Sequence, residues 1–227
     1  MRTSGMTPAF LLRHSGWLLA VVCAPAVAAT LDVGVVDEQG HALARAVVFA
    51  VPSVPVTAAA TPRVEASAAM DQQDNTFVPH ILVVQKGESV VFPNHDTVSH
   101  HVYSFSPAKT FELGLYKGNT HAPVLFEQPG LVVLGCNIHD GMLGYILVVD
   151  TPYFATTDER GSARLDGLPE GSYTVHLWTP RARANQLPAG ELVDLAAAAV
   201  TEVKLEVHGK LMPDDDHPGP GLSWVRY

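Results

Sequence analysis

The 227-residue sequence predicts an all-β protein of sandwich architecture, and three observations predict it. Short β-branched runs recur along the chain, Gly, Pro, Asp and Asn separate them, and no long apolar stretch follows the 3.6-residue period of a helix. The runs are Leu31–Val36, Ala46–Val51, Ile81–Val84, Ser89–Phe92, Leu131–Leu134, Leu143–Val149, Tyr173–Trp178 and Val203–Val207. Turns such as Asp37-Glu38-Gln39-Gly40 and Asp158-Glu159-Arg160-Gly161 punctuate them. The alanine-rich stretch Leu195–Val200 is the one place where a short helical turn is expected.

In chain order, Arg2 and Arg13 precede an apolar run from Trp17 to Ala29 that is interrupted by Pro25 and contains Ala26-Val27-Ala28. This pattern predicts a secretory signal peptide over residues 1–29, cut near Ala28 or Ala29. The run is short for a membrane span, so no membrane insertion is expected after cleavage, and the expected location is periplasmic. Cleavage removes two arginines and no acid, leaving 12 basic against 23 acidic residues. That balance argues against nucleic acid as a partner and favours basic proteins. Cleavage also removes Cys23 and leaves Cys136 as the sole cysteine, which excludes an intrachain disulfide. A lone thiol is then buried and inert, paired between chains, catalytic or bound to metal, and its neighbours favour metal. Thr57–Ala69 reads as a linker, and residues 211–227, with Asp214–Asp216 and His217, read as a solvated tail.

Those neighbours lie in Leu134-Gly135-Cys136-Asn137-Ile138-His139-Asp140-Gly141-Met142, which spaces its ligand types Cys-x-x-His-x-x-Met. A thiolate, an imidazole and a thioether on one short loop suit a soft copper site. Two histidines and a cysteine in a plane, with a long axial methionine, are the ligands of blue-copper electron-transfer centres. The second histidine is sought in residues 90–106, where a polar turn leads into a strand beginning His100-His101. Adjacent strand residues point to opposite faces, so only one of the pair faces the metal.

The two stretches together, Gln72–Val102 and Phe126–Asp150, resemble a small blue-copper cupredoxin, and among these amicyanin, with its short Cys-x-x-His-x-x-Met loop and an Asn six residues before the first histidine ligand. The resemblance implies a Greek-key cupredoxin β-sandwich over residues 64–150 holding one type 1 copper per chain. By position it makes His100 the first ligand, in register with Asn94, and Cys136, His139 and Met142 the others. His101 stands where the family often has Asn. Asn94 and Asn137 match side chains that, in the family, tie the first ligand loop to the cysteine loop. His95 and His121 are expected at the surface, and His80 near a strand start.

The flanks, residues 30–52 and 153–178, each resemble half of a carboxypeptidase regulatory-like (transthyretin-like) β-sandwich. This implies a second, discontinuous module over residues 30–60 and 151–210, with the copper block inserted at a loop whose ends are adjacent. Its expected role is support or docking. The whole chain is similar to periplasmic plastocyanin-type proteins labelled methylamine utilisation proteins. The function implied is one-electron transfer between redox partners such as a c-type cytochrome or a dehydrogenase, without enzymatic chemistry. A copper-delivery protein is the alternative, although the chain has only five methionines and no Met-rich run. A multicopper oxidase would need His-x-His pairs, and the chain offers only the adjacent His100-His101.

Overall fold

The computed structural model describes residues 28–54, 68–118, 121–182 and 190–212. The expected signal peptide as far as Val27, most of the expected linker and the expected tail from Pro213 lie outside the described residues. The first strands are β1 (Ala29–Asp37), β2 (Val47–Pro52), β3 (Ala68–Ala69), β4 (Asp71–Gln73), β5 (Thr76–Val78) and β6 (Ile81–Gln85). They are followed by β7 (Ser89–Val91), β8 (His100–Ser106), β9 (Lys109–Tyr116), β10 (Val124–Leu125), β11 (Gly130–Gly135) and β12 (Leu143–Val149). The last are β13 (Phe154–Thr156), β14 (Ser162–Leu168), β15 (Gly171–Trp178), β16 (Glu191–Leu195) and β17 (Val200–Val207). The described residues contain no helix, and the all-β class expected from the sequence is the class observed.

The strands form four main sheets in the orders β14-β1-β17, β13-β2-β15-β16, β6-β12-β11-β8-β9 and β10-β7-β3, with the hairpin β4-β5 beside them. The first two sheets are built from residues on either side of the 68–150 block. β1 pairs antiparallel with β14 and parallel with β17, and β2 pairs with β13 and β15.

Three apolar cores separate these layers. One joins Leu31, Val33 and Val35 of β1 and Leu165 of β14 to Val48, Ala50, Tyr173 and Val175. A second holds Phe77, Val90, Val102, Val132, Leu134, Ile146 and Val148, together with Cys136 and Met142. The third fuses the two sandwiches: Val47, Phe49 and Trp178 pack on Leu147 and Val149, with Ile81, Val83, Leu131 and Tyr145 at the margin. Period-2 alternation explains how two strands serve two cores each. β2 sends Val48 and Ala50 inward and Val47 and Phe49 outward, while β12 sends Ile146 and Val148 to one side and Leu147 and Val149 to the other. Both strands therefore read as continuous apolar runs.

Two local expectations change. Leu195–Val200 is not a helical turn: β16 ends at Leu195, Ala198 takes a positive φ of 58°, and Ala199 N–H bonds Ala196 O at 3.2 Å. Pairing of β15 with β16 on one side of this tight turn and of β1 with β17 on the other outweighs alanine's helix propensity. The end of the expected linker, Ala68–Ala69, is strand β3, paired parallel to Val90–Val91 of β7.

Candidate metal centre

Three chain segments bring three donor atoms to one end of the second core. β11 delivers Cys136 just past its last residue, the loop from Cys136 to Met142 turns back into β12, and β8 begins with His100. Gly141 permits the turn with φ at +88°, a conformation L side chains rarely adopt, and Met142 N–H closes it on His139 O at 3.2 Å. His100 Nδ1 and His139 Nδ1 lie 3.0 Å apart, and Cys136 Sγ lies 3.8 Å from the first and 3.7 Å from the second. The point equidistant from the three atoms is about 2 Å from each, matching metal–nitrogen and metal–thiolate bonds of about 2.0–2.3 Å. Among the described residues this is the one group of three His, Cys, Asp or Glu side chains able to hold a metal ion. His100 and Cys136 are buried and His139 is half-buried.

The His100 loop is fixed on several sides. Buried Asn94 donates through Nδ2 to Val98 O at 3.0 Å and Tyr116 O at 2.9 Å, and its Oδ1 accepts the Asp96 amide at 2.9 Å. Asn94 and Gly118 also exchange backbone hydrogen bonds. Asp96 then controls the histidine directly: its Oδ2 accepts His100 Nε2–H at 2.9 Å and the Asn75 amide at 2.8 Å. The Asn75 amide, with His100 after it, holds this carboxyl well below the usual carboxylate range although its side chain is only 7% exposed. A carboxylate on Nε2 puts the imidazole proton there and leaves the Nδ1 lone pair facing Cys136 and His139, the arrangement that metal-binding histidines need.

The expected tie between the two ligand loops takes a different form. Asn94 braces its own loop against β9, and Asn137 is exposed, with no hydrogen bond to the His100 loop among the described residues. The cysteine loop lies at the surface there, so an Asn137 side chain is solvated, while the 3.0 Å approach of the two imidazoles brings the loops together. His101 points to the opposite face of β8 and bonds Glu112 Oε1 at 2.8 Å. Met142 is 3% exposed in the same apolar cluster as Cys136, beneath the loop. His95 is exposed and pairs with Asp71, His121 stands edge-on to Tyr116, and His80 stands edge-on to Tyr145 at the start of β6. Burial pushes the Tyr116 phenol up to about 12, and its O–H donates to Phe92 O at 2.6 Å.

Asp96 is the residue that sequence reasoning missed. The signal was present: a carboxylate four residues before a candidate ligand histidine, on the same loop, is placed to accept its second ring N–H.

No protein-family model matches the chain, and no curated protein matches it. Among solved structures it is similar to a purple cupredoxin from Nitrosopumilus maritimus at 21% identity, over 36% of this chain and 99% of that one, with a TM-score of 0.33. It is also similar to a reduced Cu(I) form of an amicyanin variant at 18% identity, over 44% of this chain and 99% of that one, with a TM-score of 0.35. A copper-containing nitrite reductase from Thermus scotoductus is similar at 23% identity over 43% of this chain, with a TM-score of 0.37, and the matched part spans only 26% of that enzyme. Likenesses at this level carry no function over to this chain.

Proposed function

We propose that the protein carries single electrons on one type 1 copper ion held by His100, Cys136 and His139, with Met142 as the weak fourth ligand. The observation that carries this reading is the convergence of one thiol sulfur and two imidazole nitrogens around a single point in a largely apolar setting. The donor types fit copper: a soft thiolate with two imidazoles in a plane is the blue-copper set. Copper bound there alternates between Cu(II) and Cu(I) and supplies the one-electron step.

The chain's own residues supply the rest. Asp96 orients His100 and keeps its proton on Nε2. Phe92, Val102, Leu134 and Met142 share the apolar cluster with Cys136 and exclude water from the sulfur side. His139 lies at the surface end of the site, beside Ile138 at 51% and Leu143 at 38% exposure, where an apolar partner surface can reach its ring edge. The acidic balance of the chain favours a basic redox partner, with a c-type cytochrome or a dehydrogenase as the expected kinds. In this reading the protein performs no substrate chemistry, works in the periplasm after cleavage near Ala28, which keeps Ala29 at the start of β1, and uses the flanking sandwich as a scaffold.

The test is the visible absorption and EPR spectrum of the protein loaded with Cu(II), beside a Cys136→Ser control. An intense thiolate-to-copper band with narrow copper hyperfine splitting, absent from the control, is expected. Copper binding without that band redirects the reading to copper delivery, and no copper binding removes it.

A further inference from the structure

We propose that the β4–β5 hairpin is the clamp that ties the two ligand loops to each other, with Gln72 and Asn75 as positioning residues for His100. This rests on the copper reading above. Among the described residues no hydrogen bond joins Asn94 to Asn137, whereas residues 71–80 touch both sides of the site.

On the His100 side the contacts are polar and buried. Gln72 is fully buried, and its Nε2 donates to Pro93 O at 3.0 Å and to Tyr116 Oη at 2.5 Å. Its backbone O accepts the His95 amide at 3.1 Å, so one residue holds the stretch that leads to Asp96. Gln72 Oε1 has no protein hydrogen-bond partner. A buried acceptor left that way costs stability, which a methionine of similar volume would not, so what the amide contributes is its two directed N–H groups. The turn supplies the other contact. Asp74 and Asn75 take positive φ of 49° and 58°, the left-handed pair that a two-residue type I′ hairpin turn needs. Such a turn leaves the Asn75 N–H out of the hairpin's own ladder. It donates to Asp96 Oδ2 at 2.8 Å, the same oxygen that accepts His100 Nε2–H at 2.9 Å. Sharing that oxygen fixes where the carboxylate stands and, through it, the rotation of the imidazole.

On the other side the contact is a close approach. Phe77 of β5 lies over Gly144, which follows Met142 and Leu143 in the chain. A Cβ at position 144 would stand 2.8 Å from Phe77 Cβ, a distance real Cβ atoms essentially never show. Phe77 is buried in the same apolar cluster as Cys136 and Met142. Beyond the hairpin, His80 O accepts the Tyr145 amide at 2.9 Å, which carries the contact along β12. Residues 71–80 therefore set the end of the cysteine loop and the ring of His100 against each other.

The test follows the His100 Nε2 proton by NMR in the metal-free full chain with isotopically labelled histidine, then the Cu(II) EPR spectrum and copper affinity. Asn75→Pro removes the amide and the left-handed backbone together. The Nε2 proton should then exchange with water about tenfold faster, and copper affinity should fall about tenfold. Asn75→Gly keeps the amide and the turn and should restore both. Gln72→Met should act in the same direction as Asn75→Pro without touching the turn. Gly144→Ala reads the clamp from its far side: by displacing Phe77 it should shift the His100 ring resonances in the metal-free chain. Parent rates of Nε2 exchange in both Asn75→Pro and Gln72→Met overturn the positioning roles, and unmoved His100 resonances in Gly144→Ala overturn the bridge. Either result leaves the copper reading standing. A parent chain that never develops the thiolate-to-copper band overturns the copper reading, and ring-proton exchange in the metal-free chain then decides the clamp alone.

Discussion

Buried polar side chains do different work in the two sandwiches. In the flanking one they serve the chain itself: Thr157 Oγ1 donates to Leu43 O at 2.7 Å and accepts the Ala46 amide at 2.9 Å, and Thr151 Oγ1 donates to Ala50 O at 2.6 Å. In the other sandwich Asn94 braces a loop, Asp96 takes one nitrogen of His100, and the second nitrogen faces only another imidazole and a thiol. Polar groups matched to backbone are architecture, whereas buried donor atoms turned toward one another form a group that could hold a metal ion.

The sharpest way to break this division is at the seam. Trp178 is 3% exposed in the core shared by both sandwiches. Trp178→Ala should cost about 3–5 kcal/mol. Denaturant unfolding followed by circular dichroism and by the copper band should show the two signals lost together in the parent and separately in the variant. Coincident loss in the variant would show that the metal sandwich does not stand without the seam.

Thr157→Val leaves the Leu43 carbonyl and the Ala46 amide unpaired and should cost about 1–3 kcal/mol of stability without moving the copper spectrum. Asp96→Ala is its mirror image. It should weaken metal affinity by about 10–100-fold, read by competition with a copper chelator, while the flanking sandwich keeps its stability. A Thr157→Val variant with an altered copper band would erase the distinction between the two kinds of buried polarity.

The smallest effect concerns the exposed turn at Asp158. The Ser162 amide, with Arg160 next, lowers its carboxyl below the ordinary value of 3.8. A folded value below the unfolded one means that ionised Asp158 stabilises the fold above the unfolded value and that this contribution is lost as pH falls through the folded one. Melting temperatures measured across the acid range should therefore fall less steeply in Asp158→Asn than in the parent, with the copper site unaffected.

What could be read from the sequence was what is local. The Cys136–Met142 spacing and the apolar runs that became β2 and β12 are signals carried within a few residues. Strand alternation limited the metal to one of His100 and His101, and the Asn94 register implied by the resemblance chose His100. Asp96 was overlooked because its four-residue spacing to His100 is a signal only once that histidine is read as a ligand, and the Asn75 amide that holds its carboxylate comes from another turn. Likewise Gly135 looks like an ordinary strand-end glycine until Tyr103 is seen lying over it. The fusion of the sandwiches was hidden because β2 and β12 each serve two cores, and continuous apolar runs do not reveal what covers each face. The turn at Ala198 was misread because propensity takes no account of the pairing of the strands it joins.

The interleaved pairing has a consequence for how the protein is made. Among the described residues, the strands paired with β1 are β14 and β17 and those paired with β2 are β13 and β15, all of them downstream of residue 153. The strands of the copper-site sheet all fall within residues 81–149 and can close earlier. Each of β1 and β2 must therefore be captured across a separation of more than 100 residues (Ala29 pairs with Leu168), a slow step in folding. The shorter separations within residues 81–149 favour earlier closure of that sheet than of the flanking sandwich.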